Sequence, residues 1–219
     1  MTLGSTAMAD VIYDNYGNYN NNAFSVTNGQ EIGNQISFSP NLWSLTGFNI
    51  EYYTGNFALS PSVGIDVRFY YNNGTPSNGF PTPGTMFYDS GWFLGGLLGN
   101  GFNVVSYNSS DLYSGAQPGS LNLPFGFLMP SNFTFTVTFT NLNQFNLVEL
   151  PLANNTAGIS LGDYWLNNGA GNWSLQTNVS SAANLVVDFA GTVPEPSTFG
   201  LAAIGGALLL GINKLRRKL

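Results

Sequence analysis

Ser131-Asn-Phe-Thr-Phe-Thr-Val-Thr-Phe-Thr140 alternates strictly between apolar and hydroxylated side chains. Phe133, Phe135, Val137 and Phe139 point one way, and Thr134, Thr136, Thr138 and Thr140 the other. Successive side chains of an extended chain lie on opposite faces of a sheet, so this stretch is predicted as a β-strand. Upstream, Val63, Ile65, Val67, Phe69 and Tyr71 alternate with Gly64, Asp66, Arg68 and Tyr70. Leu45 to Tyr53, Phe102 to Tyr107 and Asn184 to Phe189 read as strands, with Ile32 to Phe38 and Asp163 to Leu166 as weaker ones. Asn/Gly/Pro/Ser clusters such as Asn72-Asn-Gly-Thr-Pro-Ser-Asn-Gly79 and Asn167-Asn-Gly-Ala-Gly171 separate them. These residues favour turns because they accept left-handed backbone or fix φ. No long amphipathic helical pattern interrupts the series. The expected fold is all-β: a jelly-roll-like β-sandwich over residues 10–191, followed by a single C-terminal hydrophobic helix.

Composition narrows the chemistry. Only 7% of the 219 residues are charged, whereas 15% are aromatic. Polarity is therefore carried mostly by amides and hydroxyls, as suits a β protein with many turns. Arg68 is the only cation before Lys214, so the body is anionic and offers no basic surface to nucleic acid. The chain has no cysteine and no histidine. That removes disulfides, thiol nucleophiles, Ser-His-Asp triads and imidazole metal sites. No cofactor, metal or catalytic activity is expected.

The C-terminal end has three ordered parts. Thr192-Val-Pro-Glu-Pro-Ser-Thr198 is stiff and extended, since each proline fixes its own φ and biases the residue before it away from helix. Ser197 to Asn213 carries no charge, and at 1.5 Å per residue it reaches roughly 25 Å, the short end of a membrane span. Lys214, Arg216, Arg217 and Lys218 follow at once and would hold this end in the cytoplasm as stop-transfer cations. A buried helix of a soluble domain is the competing interpretation, because the strictly apolar core, Phe199 to Ile212, has only 14 residues. The missing polar face and the one-sided basic cluster argue against it. Ala203, Ala207 and Gly211 recur at four-residue spacing, which suits close helix packing but is common in any membrane helix.

Val193-Pro194-Glu195-Pro196, the short Gly/Ala/Leu-rich run and the terminal cluster together resemble the PEP-CTERM sorting signal, over residues 192–219. The resemblance implies a Gram-negative bacterium that makes exopolysaccharide, and an integral-membrane exosortase that recognises and cleaves the tail. It also implies a transient inner-membrane intermediate with the body in the periplasm, then a cell-surface or extracellular destination. Asp10-Val-Ile-Tyr-Asp-Asn15, Val67-Arg-Phe-Tyr-Tyr-Asn72 and Tyr164-Trp165 with Trp173 make the body resemble choice-of-anchor domains, which carry no activity to transfer.

Met1 to Ala9 lacks the basic start and apolar stretch of a signal peptide. Its Ala7-Met8-Ala9 does fit a cleavage site, so residues 1–9 are read as a signal-peptide remnant. Within the body, Tyr164, Trp165 and Trp173 flank a Gly/Asn loop, where rings could stack on sugars. Core packing is the competing use of the same residues. Glu51, Asp66, Asp163 and Asp188 are the candidate acid/base carboxylates, though no spacing marks a pair, and an ion pair of Asp66 with Arg68 is expected instead. Asp14 to Asn20 offers oxygen ligands around a Gly bend but lacks the order of a calcium loop. Asn108, Asn132 and Asn172 begin Asn-x-Ser/Thr triplets of the kind chance supplies in an Asn-rich chain. The functional expectation is an exported surface or matrix protein processed by an exosortase and associated with exopolysaccharide or biofilm. The alternatives are a carbohydrate-binding module and a permanently membrane-anchored protein.

Overall fold

The computed structural model describes residues 10–192, apart from 39–42, 56–61, 95–96, 98–99, 115–119, 125, 143–147, 155–156, 168, 170 and 178–182. Residues 1–9, read as a signal-peptide remnant, together with Val193 to Pro196, the hydrophobic run and the terminal cations, lie outside the described residues. The elements run β1 (Asp10–Asp14), β2 (Tyr19–Ser25), β3 (Glu31–Ser37), β4 (Trp43–Thr54), β5 (Gly64–Tyr71), β6 (Met86–Asp89), β7 (Phe93–Leu94) and β8 (Gly101–Asn108). After the helical segment α1 (Ser109–Ser114) come β9 (Leu128–Met129), β10 (Asn132–Thr140), β11 (Val148–Ala153), β12 (Ile159–Ser160), β13 (Tyr164–Asn167), β14 (Trp173–Gln176), β15 (Asn184–Leu185) and β16 (Val187–Thr192). Among the described residues no helix is long and apolar enough to cross a membrane.

These strands form two antiparallel sheets. In one, β4 pairs with β8 and β9 along one edge and with β16 and β11 along the other; β1 then pairs with β16, and β2 with β11. The second runs β14-β13-β3-β10-β5-β6. Successive long strands cross between the sheets, so each hydrophobic face is closed by residues far away in sequence.

The core lies between the two inner faces. Phe48 and Phe189 from the first sheet meet Phe69 and Phe135 from the second, with ring centroids 5.2 and 5.5 Å apart and edge-on orientations. Edge-to-face pairs of this kind add about 0.5–1.5 kcal/mol each beyond the area they bury. β10 sits in the middle of the second sheet. Phe133, Phe135, Val137 and Phe139 are fully buried in the core, as the alternation predicts. Thr134, Thr136 and Thr138 are buried as well, because β3 and β5 flank β10 and bring polar side chains over its hydroxyl face.

Two local features hold the ends. Asn108 caps α1: its Oδ1 accepts the Ser110 N–H at 2.8 Å, while Asp111 Oδ2 accepts the Asn108 N–H at 2.9 Å. This reciprocal capping lets a six-residue helix persist directly after a strand. The chain enters and leaves at one end of the first sheet, where Asp10 pairs with Gly191 and Thr192 with Ser44.

Candidate functional site

The outer face of the second sheet carries the only charge cluster in which Arg68 takes part. Cross-strand register sets Trp165, Gly33, Thr136, Arg68 and Asp89 in one row and Trp173, Asn167, Glu31, Thr138 and Asp66 in the next. The Arg68 guanidinium reaches Asp66 at 2.6 Å, Asp89 at 3.1 Å and Glu31 at 3.8 Å. The expected Asp66–Arg68 pair is therefore present, as part of a larger group. Glu31 also accepts hydrogen bonds from the hydroxyls of Tyr70 (2.8 Å) and Thr136 (2.7 Å) and from the Asn167 amide (3.4 Å). Burial raises the Asp66 carboxyl well above the usual carboxylate range, against the pull of Arg68. Burial works against the Arg68 charge too, but Asp66 and Glu31 outweigh it and hold the guanidinium above its usual range. One cation thus ties β3, β5 and β6 together through three largely buried carboxylates.

Trp173 borders a polar cleft of about 550 Å³ on this same face. Its ring stands edge-on to Tyr70 at 5.5 Å, and Asn167, Asn172, Thr75 and Thr82 line the remainder. The three aromatic residues singled out around this loop separate. Trp165 is fully buried, so neither face of its ring is open to a sugar. Tyr164 points to the inner side and packs edge-on against Phe24 at 5.0 Å. Of the three, Trp173 alone lines the cleft. Gly33 explains part of this arrangement: a Cβ there would lie 2.1 Å from the Phe135 carbonyl oxygen, so the position directly opposite Trp165 carries no side chain.

The outer face of the first sheet carries a second opening, of about 540 Å³. Tyr53 and Phe102 are cross-strand partners with rings 5.1 Å apart, and Tyr19 reaches over from β2 to within 5.7 Å of Phe102. Phe102 is 63% exposed. The floor is low because Ala23 and Pro151, two small residues, oppose each other on β2 and β11. A bulge raises the far wall: Asn21 takes a left-handed backbone at φ 62°, which Asn tolerates better than most residues. Sequence reading missed this site. Its residues come from four strands, and nothing local marks Phe102 and Val104, rather than Val105 and Tyr107, as the outward pair.

Of the carboxylates considered for acid/base chemistry, Asp66, Glu51 and Asp188 are held through their side-chain oxygens. Tyr19 donates to both Glu51 oxygens at 2.8 and 2.6 Å. Burial raises Glu51 despite that hydrogen bond. Asp188 accepts the Asn49 amide at 2.8 Å and is likewise raised by burial. Asp163 gives its backbone carbonyl to the Asn34 amide. In the Asp14–Asn20 loop, Asp14 accepts the Tyr16 N–H at 2.7 Å, and Asn15 bonds the backbone of Leu185 and Val187. Among the described residues no group of three or more acidic side chains could hold a metal ion.

The third candidate begins where the sheets stop. β16 ends at Thr192, and every described strand lies before the Pro-Glu-Pro segment. Residues 192–218 match the PEP-CTERM protein-sorting motif. The PEP-CTERM motif makes this an exported chain, sorted by an exosortase to the cell envelope or surface. The match opens on Thr192, the last described residue of β16. No curated protein and no solved structure matches the chain.

Proposed function

We propose that this is a non-catalytic surface protein, delivered through its PEP-CTERM tail, cut within Val193-Pro194-Glu195-Pro196, and retained in the extracellular polysaccharide around the cell. The observation that carries the proposal is the boundary at Thr192, where the last described strand ends and the sorting motif begins. A cut beyond it leaves all sixteen described strands in the body. Export follows from the motif; exopolysaccharide association is the step proposed here. Low charge, abundant amides and a thiol- and imidazole-free chain support a role in contact rather than catalysis. The likeness to choice-of-anchor domains and the jelly-roll-like crossing of strands between sheets belong to the same account.

Before cleavage, the hydrophobic run would hold the protein in the inner membrane with its body in the periplasm. Lys214, Arg216, Arg217 and Lys218 would stop transfer there. Fractionation of the exporting cell tests this. The full chain should reach the extracellular polymer fraction, and a variant lacking 193–219 should remain soluble in the periplasm. Equal distribution of the two would defeat the proposal. A carbohydrate-binding module is the second reading, favoured by the polar cleft beside Trp173. A permanently anchored protein is the third, and it predicts that the tail is never removed.

A further inference from the structure

We propose that the groove formed by Tyr19, Tyr53 and Phe102 on the first sheet binds a neutral polysaccharide chain at the end of the body remote from the membrane. The proposal rests on the reading above, that the protein works within extracellular polymer. Three observations lead to it.

The first is the surface itself. Tyr19 and Tyr53 both set their rings against Phe102, which is 63% exposed, beside an open trough of about 540 Å³. A trough this size falls in the range of ligand sites and takes a short oligosaccharide rather than one ring. Sugar rings present apolar C–H faces that stack on aromatic side chains, while their hydroxyls need donors and acceptors at the rim. Asn22 and Glu149 supply amide and carboxylate groups there.

The second is charge. Among the described residues no lysine or arginine lines the trough, and Glu149 does. All of the 11 acidic residues except Glu195 lie in the body, against Arg68 alone, and Arg68 is on the other sheet. Uronic-acid or sulfated polymers would meet repulsion with no cation to offset it. Neutral hexose polymers would not.

The third is position. Thr192, where the tail begins, pairs with Ser44 at the start of β4, and Tyr53 lies near that strand's far end. At about 3.3 Å per residue the groove is about 30 Å along the sheet from the point of attachment. Exposed rings seated on a bilayer would sit next to the tail instead. The groove is thus placed to engage polymer while the protein is still tethered, and to keep hold after cleavage.

The test is affinity gel electrophoresis of the full chain in mild detergent, with galactomannan or hydroxyethyl cellulose as neutral polymers and alginate as the anionic one. At least one neutral polymer should retard the protein, and alginate should not. Phe102→Ala and Tyr53→Ala should each weaken retardation about tenfold, equivalent to about 1.4 kcal/mol, and Trp173→Ala should leave it unchanged. Phe102→Ala is expected to keep the wild-type melting temperature, because the side chain is 63% exposed; a Tyr53→Ala that does not is replaced by Tyr53→Leu, which removes the ring and keeps much of its bulk. Retardation lost in Trp173→Ala but not in Phe102→Ala overturns this groove and transfers the activity to the other cleft. Equal retardation by alginate overturns the neutral-polymer assignment. No retardation by any polymer, in a protein that still fractionates with the matrix through its tail, overturns the groove and leaves the sorting account standing.

Discussion

Replacing Arg68 with Met should cost the body about 3–5 kcal/mol at pH 8 and measurably less at pH 5. Met preserves the aliphatic stem, so the change isolates the charge. The guanidinium contacts three carboxylates at 2.6, 3.1 and 3.8 Å, and the Asp66 side chain is only 1% exposed. Removing one partner of a buried ion pair leaves an uncompensated charge, which is where the figure of about 3–5 kcal/mol comes from. A protein of this size loses about 2–4 °C of melting temperature per kcal/mol, so a drop of roughly 10 °C is expected. Proton uptake limits the damage. Without Arg68 the carboxyl of folded Asp66 rises further above its unfolded value, so the folded variant binds the extra proton across a wider pH range. Each pH unit within that range is worth about 1.4 kcal/mol per carboxyl, and the variant recovers stability as pH falls. Urea denaturation followed by tryptophan fluorescence at pH 8 and pH 5 measures both effects. A loss below about 1 kcal/mol at pH 8, or a loss of equal size at both pH values, would refute the view that Arg68 balances buried carboxylates.

The unaltered protein should itself be more stable at pH 5 than at pH 8. Burial pushes Asp66 up to about 7 and raises Glu51 and Asp188, so their contribution is fully present below the unfolded carboxylate range and is lost as pH rises through the folded values. Melting temperatures across that interval give the sign directly, and a rise with pH would contradict it. Gly33→Ala should destabilise by about 3 kcal/mol or prevent folding, since the new Cβ would meet the Phe135 carbonyl at 2.1 Å. A near-neutral melting temperature would show that β3 and β10 do not approach this closely. Trp165→Ala should cost about 3–5 kcal/mol, the price of emptying a fully buried indole site, and should change no sugar binding beyond what lost stability explains. Calorimetry on the folded fraction separates the two.

Elements whose evidence is local were legible in the sequence. The alternation in Ser131 to Thr140 and Val63 to Tyr71 marks β10 and β5, and the three ordered parts of the tail stand next to one another in the chain. β2 was not legible: Tyr19–Ser25 is Asn-rich and reads as loop, yet its backbone pairs with β11. α1 is too short for any periodicity, and its capping residues are the only local sign of it. The burial of Thr134 and Thr136 depends on Glu31, Arg68 and Tyr70, which the fold brings over them from other strands. Trp165 and Trp173 looked equivalent in sequence because only the register with Gly33 and Glu31 decides which is covered. The Tyr19–Tyr53–Phe102 groove joins residues from strands that sequence cannot pair.

Mass spectrometry of the C-terminus of the protein recovered from the exporting cell tests the central claim most directly. If an exosortase cuts the tail and the sandwich is the working form, the recovered chain should end near Pro194–Ser197, just beyond β16. Recovery of chains that end intact at Leu219 would contradict it and make the protein a permanent membrane resident.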